Sequence, residues 1–312
     1  MIKARIFSPR FPSDHHLNPF FAGTYTLGDE LGAGGYGFVM TARHHVEGYE
    51  VAVKFIIKSK VPDHAWWDDE LLGHVPTEVM IMSLVNNDNI VKCLDLFEDD
   101  LYFYLPLSPS PDARPNFSRR PSYDLFECIE QSKHKRLSEN NARYVFAQVV
   151  EAVYYLDSQG ITHCDIKDEN LVIDADFKVK LIDFGSAVVA DPTSPRPFYS
   201  LFFGTTAYAS SEILLKKPYQ APPAEIWTLG VLLSYLLTGH SPFPTEQDAI
   251  DGRMVVRETR GGGRISRAAL GLMARCLERD PERRADIAEI RGHRWLQGAL
   301  ERGGEHETEI KA

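Results

Sequence analysis

The sequence is poor in cysteine, in long apolar runs and in positive charge. Its four cysteines stand singly, without the paired spacing of zinc or redox motifs, at Cys93, Cys128, Cys164 and Cys276. We therefore expect reduced thiols, no structural metal and a cytoplasmic protein, with the nucleus also open. No apolar stretch is long enough to span a bilayer, and residues 1–11 lack the apolar segment of a secretory signal. Because 34 Lys and Arg face 44 Asp and Glu, the net charge of −10 argues against generic binding to nucleic acid or to anionic membranes.

The chain is long enough to bury a sizeable core, and its composition is that of a globular protein, with 44% hydrophobic and 25% charged residues. Residues 1–24 are rich in proline and show no period, which predicts a tail or a strap over the first lobe. We expect a β-rich small lobe over 25–105 and a connection at 106–122 with a proline-rich surface insert from 107. A helical large lobe over 123–297 and a frayed tail over 298–312 complete the prediction.

Hydrophobic periodicity predicts the secondary structure of both lobes. The predicted strands cover 25–31, 37–43, 50–57, 90–97 and 101–105. The predicted helices cover 76–84, 138–159, 225–238, 268–277 and 284–291. Ser138 is the expected N-cap of the second helix and Gly160 its expected stop.

A segment rich in carboxylates carries the clearest chemistry. Residues 163–170 read His-Cys-Asp-Ile-Lys-Asp-Glu-Asn, and Asp183 begins an Asp-Phe-Gly sequence after a short apolar run. In phosphoryl transfer Asp165 would orient the attacking hydroxyl and Lys167 would neutralise the transferring group, while Asn170 and Asp183 would ligate Mg²⁺. The strands predicted at 171–173 and 178–182 form a hairpin that returns Asp183 beside Asn170.

A glycine-rich pattern lies between the first two predicted strands. Missing Cβ atoms would let this hairpin lie close over phosphates. The residues of the pattern are Leu31, Gly32, Ala33, Gly34, Gly37 and Val39. On the next strand, Ala52 precedes Lys54, which needs an anionic partner if it is buried. Glu78 on the helix of the small lobe is the expected partner, and Glu70, which precedes the helix, is the alternative.

These motifs together resemble the eukaryotic-type Ser/Thr protein kinases over residues 25–296. The segment 204–208 resembles the one that seats the peptide substrate, which implies substrate contact by Thr205. Glu212 with Arg284 resembles the ion pair of the large lobe, and 293–296 resembles the closing helix. The stretches 165–170 and 181–187 are most similar to the PAS-domain kinases and their Pim-like relatives. With fewer than 25 residues before the first strand, we expect no PAS domain ahead of it.

The resemblance implies the α+β, two-lobe protein kinase fold and the cofactors ATP and Mg²⁺. It places the nucleotide against the glycine pattern, Ala52, the pair of Lys54 with Glu78, and Asp183. Aligning 101–105 with the strand before the hinge makes Leu105 the gatekeeper. The adenine would then bond to the Pro106 carbonyl and the Ser108 N–H, since proline keeps its acceptor although it lacks a donor.

Three positions depart from the family pattern. Cys164 stands where many kinases have the Arg that binds a phosphorylated activation segment, so we expect activity that does not depend on such phosphorylation. The alternative is that Cys164 only fills a small apolar site. Ser211 replaces a proline, which predicts a looser substrate platform. Glu225 replaces an Asp, and its side chain is longer by one methylene, about 1.5 Å. This predicts a displaced contact to the catalytic loop, residues 163–170, unless Cys164 compensates for it.

The leading hypothesis is an active, monomeric kinase that phosphorylates Ser or Thr in proteins. Asp124 and Glu169 align with acids that receive an upstream Arg, which favours basic peptides, although both could be ordinary surface acids. The departures motivate a rival hypothesis, a pseudokinase that binds nucleotide as a scaffold. A small-molecule kinase of related fold is disfavoured, because such an enzyme would not need the substrate segment 204–212.

Overall fold

Two units divide the polypeptide, and we describe each by itself. The computed structural model describes residues 3–108, 123–132, 134–256 and 264–301. Of these, residues 3–86 and 91–108 belong to the small unit, and 87–90 belong with the part after 122 to the large unit. Most of the predicted proline-rich insert and the end of the C-terminal tail lie outside the described residues.

A five-stranded antiparallel sheet dominates the small unit, and its strands in spatial order begin at residues 25, 37, 50, 102 and 97. The bounds of its elements are α1 (Pro19–Thr24), β1 (Tyr25–Ala33), β2 (Gly37–His44), β3 (Glu50–Ile57), β4 (Trp66–Asp69), β5 (Gly73–Pro76), α2 (Thr77–Leu84), β6 (Phe97–Glu98) and β7 (Tyr102–Leu107). Strands β4 and β5 form a separate hairpin. Four of the five predicted strands and the predicted helix are therefore confirmed, with boundaries shifted by at most two residues.

The register of the sheet separates two kinds of side chain. Val39, Lys54 and Leu105 lie opposite one another on β2, β3 and β7, so they share one face. Their neighbours along the strands point to the other face and are fully buried, among them Phe38, Met40, Val53, Phe55 and Tyr104. Phe38 and Phe55 on this second face stack at 5.0 Å between ring centroids. The sheet therefore has a core on its second face, and residues 3–24 pack over that core.

The strand predicted over 90–97 is wrong. Only Phe97–Glu98 forms a strand there, and Cys93 makes an isolated bridge to Leu107. Residues 94–96 are not in a strand, and the Cys93 thiol contacts the Asp95 carbonyl. The alternation of the sequence therefore does not continue as a ladder. The β4–β5 hairpin was not predicted. Asp69 accepts hydrogen bonds from the N–H groups of both Leu71 and Leu72 in its turn, a local signal that sequence reasoning could have used.

The large unit is mainly helical. Its elements are β8 (Tyr123–Asp124), α3 (Leu125–Gln131), α4 (Glu139–Ser158), β9 (Ile161–Thr162), β10 (Leu171–Ile173), β11 (Val179–Leu181), β12 (Val188–Val189), α5 (Ser211–Leu214), α6 (Ala221–Thr238), α7 (Glu246–Asp251), α8 (Arg267–Cys276) and α9 (Ile287–Arg291). Ser138 caps α4 by accepting the Asn141 N–H, and Gly160 follows the helix with a positive φ, as predicted. In the described part of the chain, no helix is both long and apolar enough to cross a membrane.

Two helices of the large unit differ from the prediction at their starts. Helix α6 begins four residues earlier than expected, because its two prolines fall in the first turn, where no N–H bond is needed. Helix α9 was predicted to begin at Arg284 but begins three residues later, at Ile287. Asp286 and Glu289 form a capping box that fixes its first turn. The buried side chains of α4 and α6, including the fully buried Trp227, contribute to the core of this unit.

Candidate active site

The segment 163–170 forms a loop between β9 and β10, and the backbone is strained at Cys164 within this loop and at Asp183 after β11. Cys164 has a φ of 65° and Asp183 a φ of 64°, in the left-handed region that residues other than glycine seldom adopt. The buried His163 lies between them: its Nε2 is 3.0 Å from the Ile182 carbonyl and its ring packs on Phe184. Strain that persists because surrounding contacts enforce it is typical of active sites.

The carboxylate of Asp165 is held by three donors. Its Oδ1 accepts the Thr205 N–H at 2.8 Å and the Thr205 hydroxyl at 2.7 Å. Its Oδ2 accepts the Asn170 amide at 3.0 Å, and the same amide nitrogen bonds to the Asp165 carbonyl at 2.8 Å. The sequence placed Thr205 in the segment that seats the substrate, and the structure brings it into direct contact with Asp165. This carboxylate is therefore oriented before any substrate binds.

Lys167 lies beside this carboxylate as the cation of the site. Its Nζ is 3.0 Å from the Thr205 hydroxyl, 3.6 Å from Asp165 Oδ2 and 2.9 Å from Glu169. Partial burial lowers the pKa of Lys167, but the hydrogen bonds and charges of Glu169 and Asp165 outweigh burial, so its pKa is raised above the usual value. Lys167 therefore stays positively charged beside Asp165, the carboxylate that would accept the proton of a substrate hydroxyl.

Asn170 and Asp183 come together through the β10–β11 hairpin, as predicted. The Ile182 N–H donates to the Asn170 carbonyl at 3.0 Å, and the Gly185 N–H donates to Asp183 Oδ1 at 3.2 Å. Because the Asn170 nitrogen bonds to Asp165, its amide oxygen remains as a candidate metal ligand. This oxygen and the Asp183 carboxylate are hard donors of the type that Mg²⁺ prefers, so the donor set fits that cation.

In the small unit, Lys54 forms an ion pair with Glu78. Lys54 points from the middle of β3, and Glu78 lies in the first turn of α2, where its side chain is largely buried. This pairing confirms the first of the two predicted partners, whereas Glu70 is exposed and lies after the end of β4. A largely buried lysine that is paired with a carboxylate suits an anionic ligand such as a phosphate.

The glycines of the hairpin between β1 and β2 have different structural roles. A Cβ on Gly32 or Gly34 would meet no atom within 4 Å, so these positions are open. A Cβ on Gly37 would lie 1.9 Å from the Phe55 carbonyl, which means that Gly37 is required by the packing of β2 on β3. The Gly34 N–H donates to the Gly37 carbonyl and closes the turn.

In this structure the two backbone groups predicted to contact adenine have other partners. The Pro106 carbonyl accepts the Leu94 N–H at 2.8 Å, and the Ser108 N–H donates to the Lys92 carbonyl at 2.7 Å. Leu105 and Leu107 pair with β3, so the backbone groups between them face the opposite edge of the strand. The segment 92–94 occupies that edge. Leu105 itself lies on the face of Lys54, as expected of a gatekeeper.

The two acids predicted to bind basic substrates also make local contacts. Asp124 is the N-cap of α3 and accepts the Glu127 N–H at 2.7 Å. Glu169 pairs with Lys167 but keeps about half of its side chain exposed. Each carboxylate therefore has a structural partner, and Glu169 is the more accessible of the two.

Sequence reasoning missed a buried hydrogen bond and assigned no function to either partner. The Tyr208 hydroxyl donates to Asp168 at 2.9 Å and so joins the catalytic loop to the segment 204–208. Burial raises the pKa of Asp168, although the Tyr208 hydrogen bond opposes the shift. Asp168 adjoins Lys167 in the sequence, but nothing local marks Tyr208 as its partner.

The departures from the family pattern keep their contacts. Glu225 accepts the Cys164 N–H at 2.8 Å from α6, so its longer side chain still reaches the catalytic loop. Burial raises the pKa of Glu225 to about 8, against the opposing hydrogen bonds from the Cys164 and His163 backbone. The Ser211 hydroxyl donates to the Arg279 carbonyl at 3.1 Å. Glu212 binds Arg284 through two hydrogen bonds of 2.8 and 2.9 Å.

Comparisons with known proteins show which family the chain resembles. A family model described as the protein kinase domain matches residues 25–296. The chain is 36% identical to serine/threonine-protein kinase PSK2 of Saccharomyces cerevisiae over 88% of its length, and 38% identical to the PAS domain-containing serine/threonine-protein kinase of Mus musculus over 87%. It is also 36% identical to the SNF-related serine/threonine-protein kinase of Rattus norvegicus over 89%.

The chain therefore belongs to the protein kinase family, as its motifs predicted. The fold is the α+β fold of that family. The matches cover 24%, 18% and 35% of the three relatives named, so the chain spans about a fifth to a third of their length.

Proposed function

We propose that this chain is an active serine/threonine protein kinase that transfers the γ-phosphoryl group of ATP to a hydroxyl of a protein substrate. The observation that carries the proposal is the network around Asp165, in which Thr205, Asn170 and Lys167 all contact one carboxylate. Asp165 would orient the substrate hydroxyl and accept its proton, while Lys167 would offset the charge that develops on the transferred group.

The residues of the two units fit ATP and Mg²⁺ as cofactors. In the small unit, Lys54 would bind the phosphates, and the open positions Gly32 and Gly34 would let the backbone approach them. In the large unit, Asn170 and Asp183 would hold Mg²⁺, which when bound offsets the negative charge of the phosphates. The transfer is direct, so no covalent enzyme intermediate is required.

The pseudokinase alternative has no observation in its favour. The positions that motivated it, Cys164, Ser211 and Glu225, are bonded to neighbouring elements in the large unit. The residues assigned to phosphate and metal, including Lys54, Asn170 and Asp183, are all present.

We also propose that activity does not require phosphorylation of the activation segment, which contains Thr193, Ser194 and Ser200. Cys164 supplies no cation for a phosphate at Thr193, Ser194 or Ser200. Instead, Arg196 of the segment pairs with Asp157 at 2.8 Å. Two backbone hydrogen bonds join Tyr199 to Tyr219 at 2.8 and 2.9 Å. These contacts support an ordered segment without a phosphate.

A preference for basic residues before the acceptor is the proposed substrate specificity. Its support is the exposed half of Glu169, together with the net charge of −10. A peptide array tests this proposal. Enrichment of Arg or Lys on the N-terminal side of the acceptor is the expected result, and no enrichment would reject it without affecting the proposed chemistry.

Radiolabel transfer from ATP to a basic peptide tests the enzyme proposal itself. We expect Asp165→Asn to lower the transfer rate by about 10²- to 10⁴-fold, because the carboxamide cannot accept the proton. Nucleotide binding should be retained, since Asp165 is not assigned to ATP. Equal transfer by both proteins would reject the proposal, and binding of MgATP without transfer by the wild type would favour the scaffold.

A further inference from the structure

The N-terminal segment 3–24, which we call the strap, packs on the sheet of the small unit. Phe11 is fully buried, and its ring makes edge contacts with Phe38 and Phe55 at 5.1 Å and with Tyr102 at 5.5 Å. Further along the strap, Phe21 is also fully buried. The strap therefore forms part of the small unit's core.

Polar contacts attach residues 15–18 of the strap to the end of β6 and the turn that follows it. His15 Nε2 lies 3.3 Å from Asp99, whose other contacts include the Tyr104 hydroxyl. The Asn18 amide donates to the Glu98 carbonyl at 2.8 Å. With Phe11 and Phe21 buried and residues 15–18 bonded, the strap is a fixed platform rather than a free tail.

Residues 8–10 of the strap bind the carboxylate of Glu30 on β1. Arg10 Nε donates to Glu30 Oε1 at 2.7 Å, and the Ser8 hydroxyl donates to Glu30 Oε2 at 3.2 Å. Ser8 is buried and also accepts the Arg10 N–H at 3.2 Å, which fixes the two residues relative to each other. Both oxygens of Glu30 are thus bound by the strap.

Glu30 immediately precedes Leu31, the first residue of the glycine-rich loop. The pairing of β1 with β2 is irregular on both sides of Glu30, with register shifts toward Leu27 and toward Gly32. Irregular pairing weakens the ladder that would otherwise hold the start of the loop. The contacts of Glu30 with the strap supply a support at the point where the ladder is weakest.

We propose that Ser8 and Arg10 are positioning residues, which fix the glycine-rich loop for ATP by holding Glu30. This inference rests on the proposed function. A loop that is already ordered loses less conformational entropy when it closes on phosphates, so ATP binds more tightly. Arg10 also offsets the negative charge of Glu30 next to the loop, which reduces its repulsion of the phosphates.

The test compares Arg10→Ala, Ser8→Ala and Glu30→Gln with the wild type. The matched control is Glu98→Gln, which breaks an ion pair with Lys58 of similar length, 2.8 Å, on β6 at the opposite edge of the sheet. The first readout is hydrogen–deuterium exchange of residues 31–39 without nucleotide. We expect faster exchange there in Arg10→Ala and Glu30→Gln and no change in Glu98→Gln.

The second readout separates KM from kcat. We expect the KM for ATP to rise about three- to tenfold in Arg10→Ala, the effect of losing one partly exposed, charge-assisted hydrogen bond. The kcat at saturating ATP should change less than about twofold, because the residues around Asp165 are untouched. The Arg10→Ala/Glu30→Gln double variant should be no worse than either single variant.

Unchanged exchange at 31–39 in Arg10→Ala and Glu30→Gln would overturn the inference. So would an equal fall in kcat and kcat/KM, or a rise in KM in Glu98→Gln as large as that in Arg10→Ala. A wild type that transfers no phosphate would reject the proposed function instead, and the exchange of residues 31–39 would still test the strap's hold on the loop.

Discussion

The two units support their functional residues by different physical means. In the large unit, Asp165 and Glu225 are held by hydrogen bonds, and Glu212 by a buried ion pair. In the small unit, Lys54 and the glycine-rich loop lie on a sheet whose opposite face is covered by aromatic side chains and the strap.

Polar networks and apolar packing place different requirements on the side chains that form them. Buried polar groups are stable only when every partner is present, so a polar network specifies one geometry and fails sharply when one member is lost. Apolar packing is less directional, and the stability lost on substitution grows with the volume of side chain that is removed. We therefore expect the largest loss of stability in the large unit from a change of charge and in the small unit from a change of volume.

Arg284→Met should produce the largest loss of stability. Arg284 is buried and donates to both oxygens of Glu212, so its removal leaves a carboxylate buried without its cation. We expect the free energy of unfolding to fall by about 3–5 kcal/mol. Denaturant unfolding measures it, with Arg275→Met as the control, because the Arg275 ion pair with Glu289 is exposed and should contribute less than about 1 kcal/mol. Similar losses in both variants would contradict the comparison.

Phe11→Ala should have a similar or somewhat smaller effect in the small unit, through a cavity rather than a charge. Its buried ring touches three aromatic rings of the sheet, so we expect a loss of about 3 kcal/mol. Phe20→Ala is the matched control on the same strap, because Phe20 is 79% exposed and should change stability by less than about 0.5 kcal/mol. If Phe11→Ala behaves like Phe20→Ala, the strap is not part of the core.

The sequence predicted best which of the candidate catalytic residues lie close together. Asp165, Asn170 and Asp183 were recognisable because phosphoryl transfer requires those groups in that order. The pairing of Lys54 with Glu78 followed from burial of one charge and a single available helix. Helix α4 was predicted with its caps because its 20 residues give the apolar period enough length.

Contacts that depend on tertiary register were not predictable. The Pro106 carbonyl faces one edge of β7 or the other depending on the pairing of β3, and a shift of one residue reverses it. Phe11 is buried from a segment without any period, so no pattern could reveal its packing. Tyr208 and Asp168 meet across 40 residues of sequence, and neither residue type requires the other.

The pH dependence of stability sharpens the comparison through Glu225. Its pKa is raised by burial from 4.5 to about 8, so its stabilising contribution is fully present below about pH 4.5 and is lost as the pH rises to about 8. Glu225→Gln keeps an oxygen acceptor for the Cys164 N–H but has no charge. We therefore expect the stability of the wild type relative to this variant to fall by about 2 kcal/mol between pH 6 and pH 8. A constant difference across that range would show that the buried carboxyl does not titrate there.

Arg196→Ala should have the smallest effect, because it removes one partly exposed ion pair of the large unit. We expect a loss of about 0.5–1 kcal/mol and faster hydrogen exchange over residues 190–203. Since the backbone pairing of Tyr199 with Tyr219 remains, part of the segment should stay ordered.

Phosphatase treatment of the wild type should leave activity unchanged, whereas Arg196→Ala should lower the activity without phosphatase. If phosphatase abolishes wild-type activity while Arg196→Ala has no effect, the segment depends on a phosphate rather than on the polar contacts of the large unit.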